Sequence, residues 1–198
     1  MLVRHDFDSL PIGSKIEVRP ARQVELSILA DMANRLVAGV QITGPILEEY
    51  FAFDPECILT FSQQGSLLGA MAFLYLNDVG HDALIFDEIS LTRPDIGLLA
   101  RRDDEVSAIY IWAIAAIGRG IAGLGKAAAH LRTRRYINAD CFAQPSTSAG
   151  RDLLIATGFR QTPSFQPDLW RYERRWNRSP PDMSPSIVPA RSFADAWQ

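Results

Sequence analysis

The apolar run at residues 107–117, SAIYIWAIAAI, restricts the fold of this chain more than any other stretch. A run of this kind, without a charged side chain, is typical of a β-strand that is buried on both faces. Gly118-Arg119-Gly120 ends the run, and residues 121–135 have the pattern of a helix. The chain must therefore fold so that a buried strand, a glycine-rich turn and a helix follow one another.

The composition is that of an ordinary globular domain. The chain has 198 residues, of which 47% are hydrophobic and 22% charged, and its net charge is −3. This length suits one domain with a sizeable core, which we place at residues 15–175. Residues 1–14 are expected to form a leader of uncertain order. Residues 176–198 are rich in proline and serine and are expected to form a tail.

Several classes of protein are disfavoured by the sequence. No apolar run reaches the length of a membrane span, and residues 1–14 lack the apolar segment of a secretory signal. The near-neutral charge argues against nucleic acid as the main partner. Cys57 and Cys141 are too few for a disulfide framework, and no cluster has metal-ligand spacing. We therefore expect a cytoplasmic protein without a metal, and the sequence is compatible with a homodimer.

Local patterns predict the remaining elements. A helix follows Pro20, with an apolar stripe of Val24, Ile28, Met32 and Leu36 at i+4 spacing. Two apolar segments joined by a polar turn at 63–66 predict a hairpin. The other predicted helices span 46–53 and 146–157, and the predicted strands span 15–19, 57–61, 67–76, 84–89, 136–142, 159–162 and 169–174. This order predicts an α+β fold with a mostly antiparallel sheet.

Gly118, Gly120 and Gly123 form the segment that carries chemistry. Glycines between a strand and a helix let the backbone approach a ligand closely, and the N–H groups of the first helical turn attract a phosphate. One interpretation is a dinucleotide-binding fingerprint in an oxidoreductase domain, with Asp140 as the ribose-binding acid. That interpretation requires a parallel sheet starting at the glycine strand, and the hairpin at 57–76 argues against it.

A second interpretation uses more of the chain. Residues 117–122 match a phosphate-binding Gly-x-Gly motif, residues 147–159 form a helix that ends in Gly-Phe, and the segments at 18–21 and 68–72 precede them in order. Over residues 15–175 the chain resembles the GNAT superfamily of acyl-CoA-dependent N-acetyltransferases. The resemblance implies a mixed, mostly antiparallel sheet with helices on both faces. It also implies a central splay between strands that end near Ile117 and Phe142.

The resemblance further implies an acyltransferase that uses acetyl-CoA, or another acyl-CoA, as co-substrate. The pantetheine arm would lie in the splay, the pyrophosphate would bind the glycine segment, and a backbone N–H near residues 113–115 would polarise the thioester carbonyl. An amine of a small molecule or peptide would attack directly. The cofactor-binding candidates are Ala113, Ala115, Ile117, Gly118, Arg119, Gly120, Ile121, Ala122 and Thr147.

Two positions depart from the family pattern. Ile117 stands where the family has Gln or Arg, and Leu154 stands where a Tyr often protonates the leaving thiolate. A degenerate module that binds acyl-CoA without turnover is therefore an alternative.

The amine also needs a general base, for which Glu88 is our first candidate. A strand at 84–89 would direct Asp87 and Glu88 to opposite faces. Glu105 and His81 are further candidates. The insertion at 78–106 is predicted to shape the acceptor pocket.

Overall fold

The computed structural model describes residues 6–37, 39 and 41–174. A seven-stranded sheet in the order β1-β2-β3-β4-β5-β7-β6 forms its centre. Its strands are β1 (Glu17–Pro20), β2 (Ile58–Gln63), β3 (Ser66–Leu76), β4 (Ala108–Ala116), β5 (Asp140–Ala143), β6 (Arg160–Gln161) and β7 (Trp170–Tyr172). All neighbouring pairs are antiparallel except β4 with β5. The predicted α+β fold is therefore confirmed, whereas the proposed tail at 176–198 lies outside the described residues.

Within the described residues, five α-helices accompany this sheet. They are α1 (Leu26–Leu36), α2 (Gly44–Phe53), α3 (Asp78–Ile85), α4 (Leu124–His130) and α5 (Ser148–Ala156). Side chains cap three of them in the usual way. The Thr43 hydroxyl accepts a bond from the N–H of Ile46, the Asn77 amide oxygen from Gly80, and the Thr147 hydroxyl from Gly150. These caps fix where α2, α3 and α5 begin.

The predicted hairpin is present as β2 and β3. Its two-residue turn has positive φ at Gln64 (51°) and at Gly65 (79°), which matches the twist of antiparallel strands. The pairing then shifts register, because Phe61 faces Gly69 and Ser62 faces Leu67, so that Leu68 is an extra residue on β3. The carbonyl of Leu68 accepts the N–H of Ile117 at 2.8 Å. This bulge thereby ties β3 to the end of β4.

The apolar stripe that predicted α1 is not its buried face. Val24 and Ile28 are 78% and 54% exposed, and Leu36 is also exposed. Steps of four residues exceed one helical turn by about 40° each, so such a stripe winds around the helix. Val24 also precedes α1, in a 3-10 turn. The buried face consists of Leu26, Leu29, Ala30, Met32 and Ala33.

Three further elements differ from the sequence prediction. Residues 84–89 do not form a strand, because Asn77 starts helix α3, which continues to Ile85. Residues 136–139 form turns before β5, and the hydroxyl of Tyr136 bonds to the Glu56 carboxylate at 2.8 Å. Tertiary contacts of this kind override strand propensity. The helix predicted at 121–135 is shortened to α4, because a 3-10 helix occupies Gly118–Gly123.

Residues 6–14, which the sequence assigns to a leader, lie against the domain. Phe7 is only 3% exposed, and its ring centroid lies 5.5 Å from those of Phe159 and Tyr172. The fully buried Arg174 forms an ion pair with Asp8 and donates to the carbonyls of Leu131 and Ala139. The start of the described chain is thus part of the hydrophobic core.

Replacing Phe7 tests this packing. We expect Phe7→Ala to lower the free energy of unfolding by about 3–5 kcal/mol, because it removes a buried ring. Urea denaturation measures the change. Ile12→Ala, at a position that is 55% exposed, is the control and should change the free energy by less than about 0.5 kcal/mol. Equal stability of the two variants would contradict the packing.

Candidate functional site

The central opening in the sheet is created where β4 and β5 separate. Their parallel pairing runs from Ala108 with Asp140 to Ile111 with Ala143. β4 continues to Ala116, whereas the chain after Ala143 turns away through Gln144 and Pro145. Proline has no N–H with which to extend the ladder. The predicted splay is therefore confirmed, and one edge of β4 is left open over residues 112–116.

A β-bulge lies at the point where the splay begins. Ala113 faces Ala72 and Ile111 faces Phe73, so Trp112 has no partner on β3. Bulges re-aim side chains and interrupt the backbone ladder. The indole N–H of Trp112 donates to the carbonyl of Leu91 at 2.6 Å. Its ring meets that of Tyr50 edge-on at 5.0 Å, so the Trp112 side chain is held from two sides.

The splay contains a cavity of about 410 Å³, which we call the splay cavity. Its walls are the open edge of β4, the start of α5 and the end of α1. Most of its lining is apolar. The lining residues are Leu36, Val37, Ile111, Trp112, Ala113, Ile114, Ala116, Ile121, Ala143, Gln144, Pro145, Ser146, Thr147, Ala149, Gly150, Leu153 and Leu154.

A second cavity of about 230 Å³, the side cavity, adjoins the first. The two share Val37, Trp112, Gln144, Pro145 and Ser146. The remaining lining of the side cavity comes from the α1–α2 connection, the insertion and β4, as Gly39, Gln41, Ile42, Leu91, Thr92 and Tyr110. The 78–106 insertion thus contributes part of one wall.

Tyr110 closes one side of the side cavity. Its side chain is buried, and its hydroxyl donates to the Gln144 amide oxygen at 3.1 Å. Burial raises the pKa of Tyr110 well above its ordinary value. The phenol therefore remains protonated at neutral pH.

The glycine segment packs closely against the sheet. A methyl group at Gly120 would lie 2.6 Å from the carbonyl oxygen of Leu68, and one at Gly123 would lie 2.8 Å from the ring of Phe61. These two glycines are thus required by packing. Gly118 has open space but a φ of 52°. The N–H groups of Gly118 and Arg119, at the start of the 3-10 helix, have no partner in the preceding turn.

The predicted cofactor-binding residues lie along the splay but do not all reach its cavity. Ala113, Ile121 and Thr147 line it, whereas Ala115 is buried and does not. Ile117, Gly118, Arg119, Gly120 and Ala122 follow the end of β4. The Thr147 hydroxyl is occupied by the helix cap described above.

Sequence reasoning missed several lining residues. Leu36, Val37, Gln144 and Ser146 line the splay cavity but belong to no motif. In the sequence, only Pro145 indicates that the strand pairing of β5 ends here, because proline cannot extend the ladder. Leu154, the position of the missing Tyr, does line the cavity and is 5% exposed. This wall therefore offers an aliphatic side chain in place of a hydroxyl.

The candidate general bases lie away from both cavities. The predicted strand at 84–89, which was to carry Glu88, is wrong. Glu88 instead follows α3, and its N–H donates to the Ala83 carbonyl at 2.8 Å. Glu88, Asp87 and Glu105 are exposed and line neither cavity. The His81 ring lies 5.4 Å from that of Phe142, and burial lowers the pKa of His81. The role of Glu88 as base stays a prediction.

Asp140 does not have the position of a ribose-binding acid. It is 6% exposed, and its carboxylate accepts bonds from the Arg171 guanidinium at 2.7 Å and from the Arg174 backbone N–H at 2.8 Å. It begins β5, whereas the glycines follow the end of the parallel strand β4. The strands before the glycines are antiparallel as well. The structure therefore does not favour the dinucleotide-binding interpretation.

Two kinds of feature are absent from the described part of the chain. Within it, no helix combines the length and apolarity needed to cross a membrane. Among the same residues, no group of three or more His, Cys, Asp or Glu is arranged to hold a metal ion.

Comparison of the sequence with protein-family models and with curated proteins gives no match. Solved structures do match. The structure is similar to Ard1 from Thermoplasma volcanium over 80% of this chain and 95% of the other, with a TM-score of 0.50 and 12% identity. It is similar to a GNAT-family acetyltransferase from Listeria monocytogenes over 79% and 92%, with a TM-score of 0.50 and 15% identity. The chain therefore has the GNAT fold.

The loading GNATL domain of CurA from Lyngbya majuscula is also similar, with a TM-score of 0.48 and 11% identity. The match covers 65% of this chain, which spans 64% of the length of that one.

The tight contact at Gly120 gives a test of the segment's geometry. We expect Gly120→Ala to lower the free energy of unfolding by about 1–3 kcal/mol, because the added methyl group overlaps the backbone of Leu68. Gly13→Ala, where nothing lies within 4 Å, is the matched control and should change the free energy by less than about 0.5 kcal/mol. Urea denaturation measures both variants. If Gly120→Ala has the same free energy of unfolding as the original protein, the glycine segment does not pack on β3.

Proposed function

We propose that this protein is an acyltransferase that moves an acetyl or other acyl group from CoA to an amine. The observation that carries the proposal is the splay itself. An open strand edge, a bulge at its start and an apolar cavity between β4 and α5 together form a slot for an extended, partly apolar chain that can also pair with backbone groups. Pantetheine has both properties, since its amides alternate with methylene groups.

The cofactor-binding residues take their roles from this placement. The pantetheine arm would follow the open edge of β4 at residues 112–116, between Ala113 and the start of α5. The pyrophosphate would then lie at the glycine segment, where the N–H groups of Gly118 and Arg119 and the Arg119 guanidinium attract negative charge. Ile117 supplies no polar side chain there, so backbone groups would carry most of the phosphate contacts.

The bulge would place the reacting carbonyl. A backbone N–H near residues 113–115 would donate to the thioester oxygen, which becomes more negative as the amine attacks. The amine nitrogen forms the new C–N bond and the C–S bond breaks. No covalent intermediate with the protein is needed. The cytoplasmic location and the homodimer stay predictions from the sequence.

Leu154 favours a second candidate function, in which the protein binds acyl-CoA without turnover. The position lines the splay cavity but provides no proton for the leaving thiolate. Release of free CoA in the presence of an acceptor separates the two functions. Binding without such release would favour the second.

Binding of acetyl-CoA tests the site directly. A ligand that binds only the folded protein adds about 2.7 kcal/mol of stability at 100 times its Kd. We expect acetyl-CoA and CoA to raise the midpoint of thermal unfolding, and NAD and NADP to leave it unchanged. A rise with NAD alone would overturn the proposal.

A pair of variants at the start of α5 locates the binding. Ala149 is exposed and lines the splay cavity, whereas the adjacent Ser148 is exposed and does not line it. We expect Ala149→Phe to abolish the stabilisation by acetyl-CoA, because the ring fills the slot. Ser148→Phe should retain it. Equal stabilisation of both variants would place the ligand elsewhere.

A further inference from the structure

The walls of the two cavities share one property that bears on the acceptor. Every described residue that lines the splay cavity or the side cavity has an uncharged side chain. The polar groups among them are amides, hydroxyls and the Trp112 indole N–H. Five of these residues already have hydrogen-bond partners. Trp112 donates to Leu91, Tyr110 donates to Gln144, and Thr147 caps α5. The Gln144 amide also donates to the carbonyl of Pro167, and the Thr92 hydroxyl bonds to that of Ser90.

One aromatic residue lies at the boundary between the cavities, and a second lines the side cavity alone. Trp112 lines both, and Tyr110 lines the side cavity from the same strand. The Tyr50 ring meets the Trp112 ring edge-on, and the Tyr50 hydroxyl donates to the carbonyl of Pro94 at 2.6 Å. These contacts hold the Trp112 ring, and the bond to Gln144 holds the Tyr110 ring. The rings of Trp112 and Tyr110 therefore offer a preformed surface for a flat apolar group.

Charged groups near the side cavity lie outside its lining. On α2, the exposed Glu49 pairs with Arg93 of the insertion at 3.4 Å. On α3, His81 packs on Phe142. Burial raises the pKa of Tyr50 to about 12, and Tyr110 is shifted in the same direction. The walls are therefore uncharged throughout the neutral range of pH.

An alkylamine fits such a cavity poorly. Its pKa resembles that of lysine, about 10.4, so it arrives as an ammonium ion. Burial of that charge beside apolar and amide groups is costly without a carboxylate partner. The proton must also be removed before attack, and none of the described lining residues carries a carboxylate or an imidazole.

We propose that the acceptor is an aromatic amine that is uncharged at neutral pH, bound in the side cavity against Trp112 and Tyr110. The inference rests on the proposed acyl transfer and specifies its acceptor. An aromatic amine needs no base, because its nitrogen lone pair is already free. Its ring occupies the aromatic wall, and its nitrogen points across Trp112 towards the splay cavity.

The same chemistry accounts for Leu154. When the aromatic amine attacks, its lone pair forms the C–N bond and the nitrogen becomes positively charged and strongly acidic. The C–S bond then breaks, and its electron pair stays on sulfur. The nitrogen gives its proton to that thiolate, directly or through water, so the products are the N-aryl amide and free CoA. The acceptor thus supplies the proton for which the wall at Leu154 has no donor.

Aniline and cyclohexylamine are the test acceptors, because both carry one amino group on a six-membered ring. Release of the CoA thiol from acetyl-CoA is measured between pH 6.5 and 9, with the uncatalysed rate subtracted. We expect kcat/KM at pH 7 to be at least about tenfold higher for aniline and nearly independent of pH. For cyclohexylamine it should rise about tenfold per pH unit, following the free amine.

Variants of Tyr110 and Gln41 test the location. Tyr110→Leu should lower kcat/KM for aniline about tenfold or more through KM. Tyr110→Phe, which keeps the ring and loses only the bond to Gln144, should lower it less than Tyr110→Leu does. Neither should change the affinity for acetyl-CoA, because Tyr110 does not line the splay cavity. Gln41→Glu places a carboxylate of equal size in the side cavity and should shift the preference towards cyclohexylamine.

Calorimetric titration with acetyl-CoA separates failure of this inference from failure of the proposed function. If acetyl-CoA binds but cyclohexylamine is preferred, or neither amine is acetylated, the acceptor assignment is overturned and the acyl-CoA site stands. If kcat/KM for aniline depends on an ionisation near neutral pH, and the same ionisation appears with other acceptors, the enzyme supplies a base. That result would also overturn the acceptor assignment. If acetyl-CoA does not bind, both fail.

Discussion

The pairing of β5 with β4 stops at Ala143, and most of the candidate site depends on that stop. Beyond it, the backbone groups on one edge of β4 at 112–116 lose their strand partner, and buried backbone groups need a replacement. The bulge at Trp112 lies at the same level. The end of the β5 pairing leaves the slot and exposes backbone donors along it, and the bulge lies beside it at Trp112, which lines both cavities.

The glycine segment shows how packing and binding share the same residues. Gly120 and Gly123 admit Leu68 and Phe61, so they bring the 3-10 helix onto β3 and β2. That contact, with the bond from Ile117 to Leu68, fixes where the N–H groups of Gly118 and Arg119 lie at the end of the splay. From the sequence, the glycine motif indicates only phosphate binding, but two of its glycines are also required for packing.

Elements with a strong local pattern could be predicted from the sequence. The strand at 107–117 and the hairpin across Gln64-Gly65 are examples, because the pattern that predicts each of them lies within neighbouring residues. The strand expected at 84–89 was wrong, since the cap at Asn77 and packing favour a helix. The side cavity could not be predicted, because its walls come from the α1–α2 connection, the insertion and β4, which only the fold brings together.

Hydrogen exchange in the presence of acetyl-CoA tests the central claim most directly, because it reports where the ligand replaces lost backbone partners. Peptides covering 112–123 and 144–154 should exchange more slowly when acetyl-CoA is saturating, while those covering 158–173 should not change. Protection confined to the latter region, or no protection at a concentration that stabilises the protein, would contradict binding in the splay.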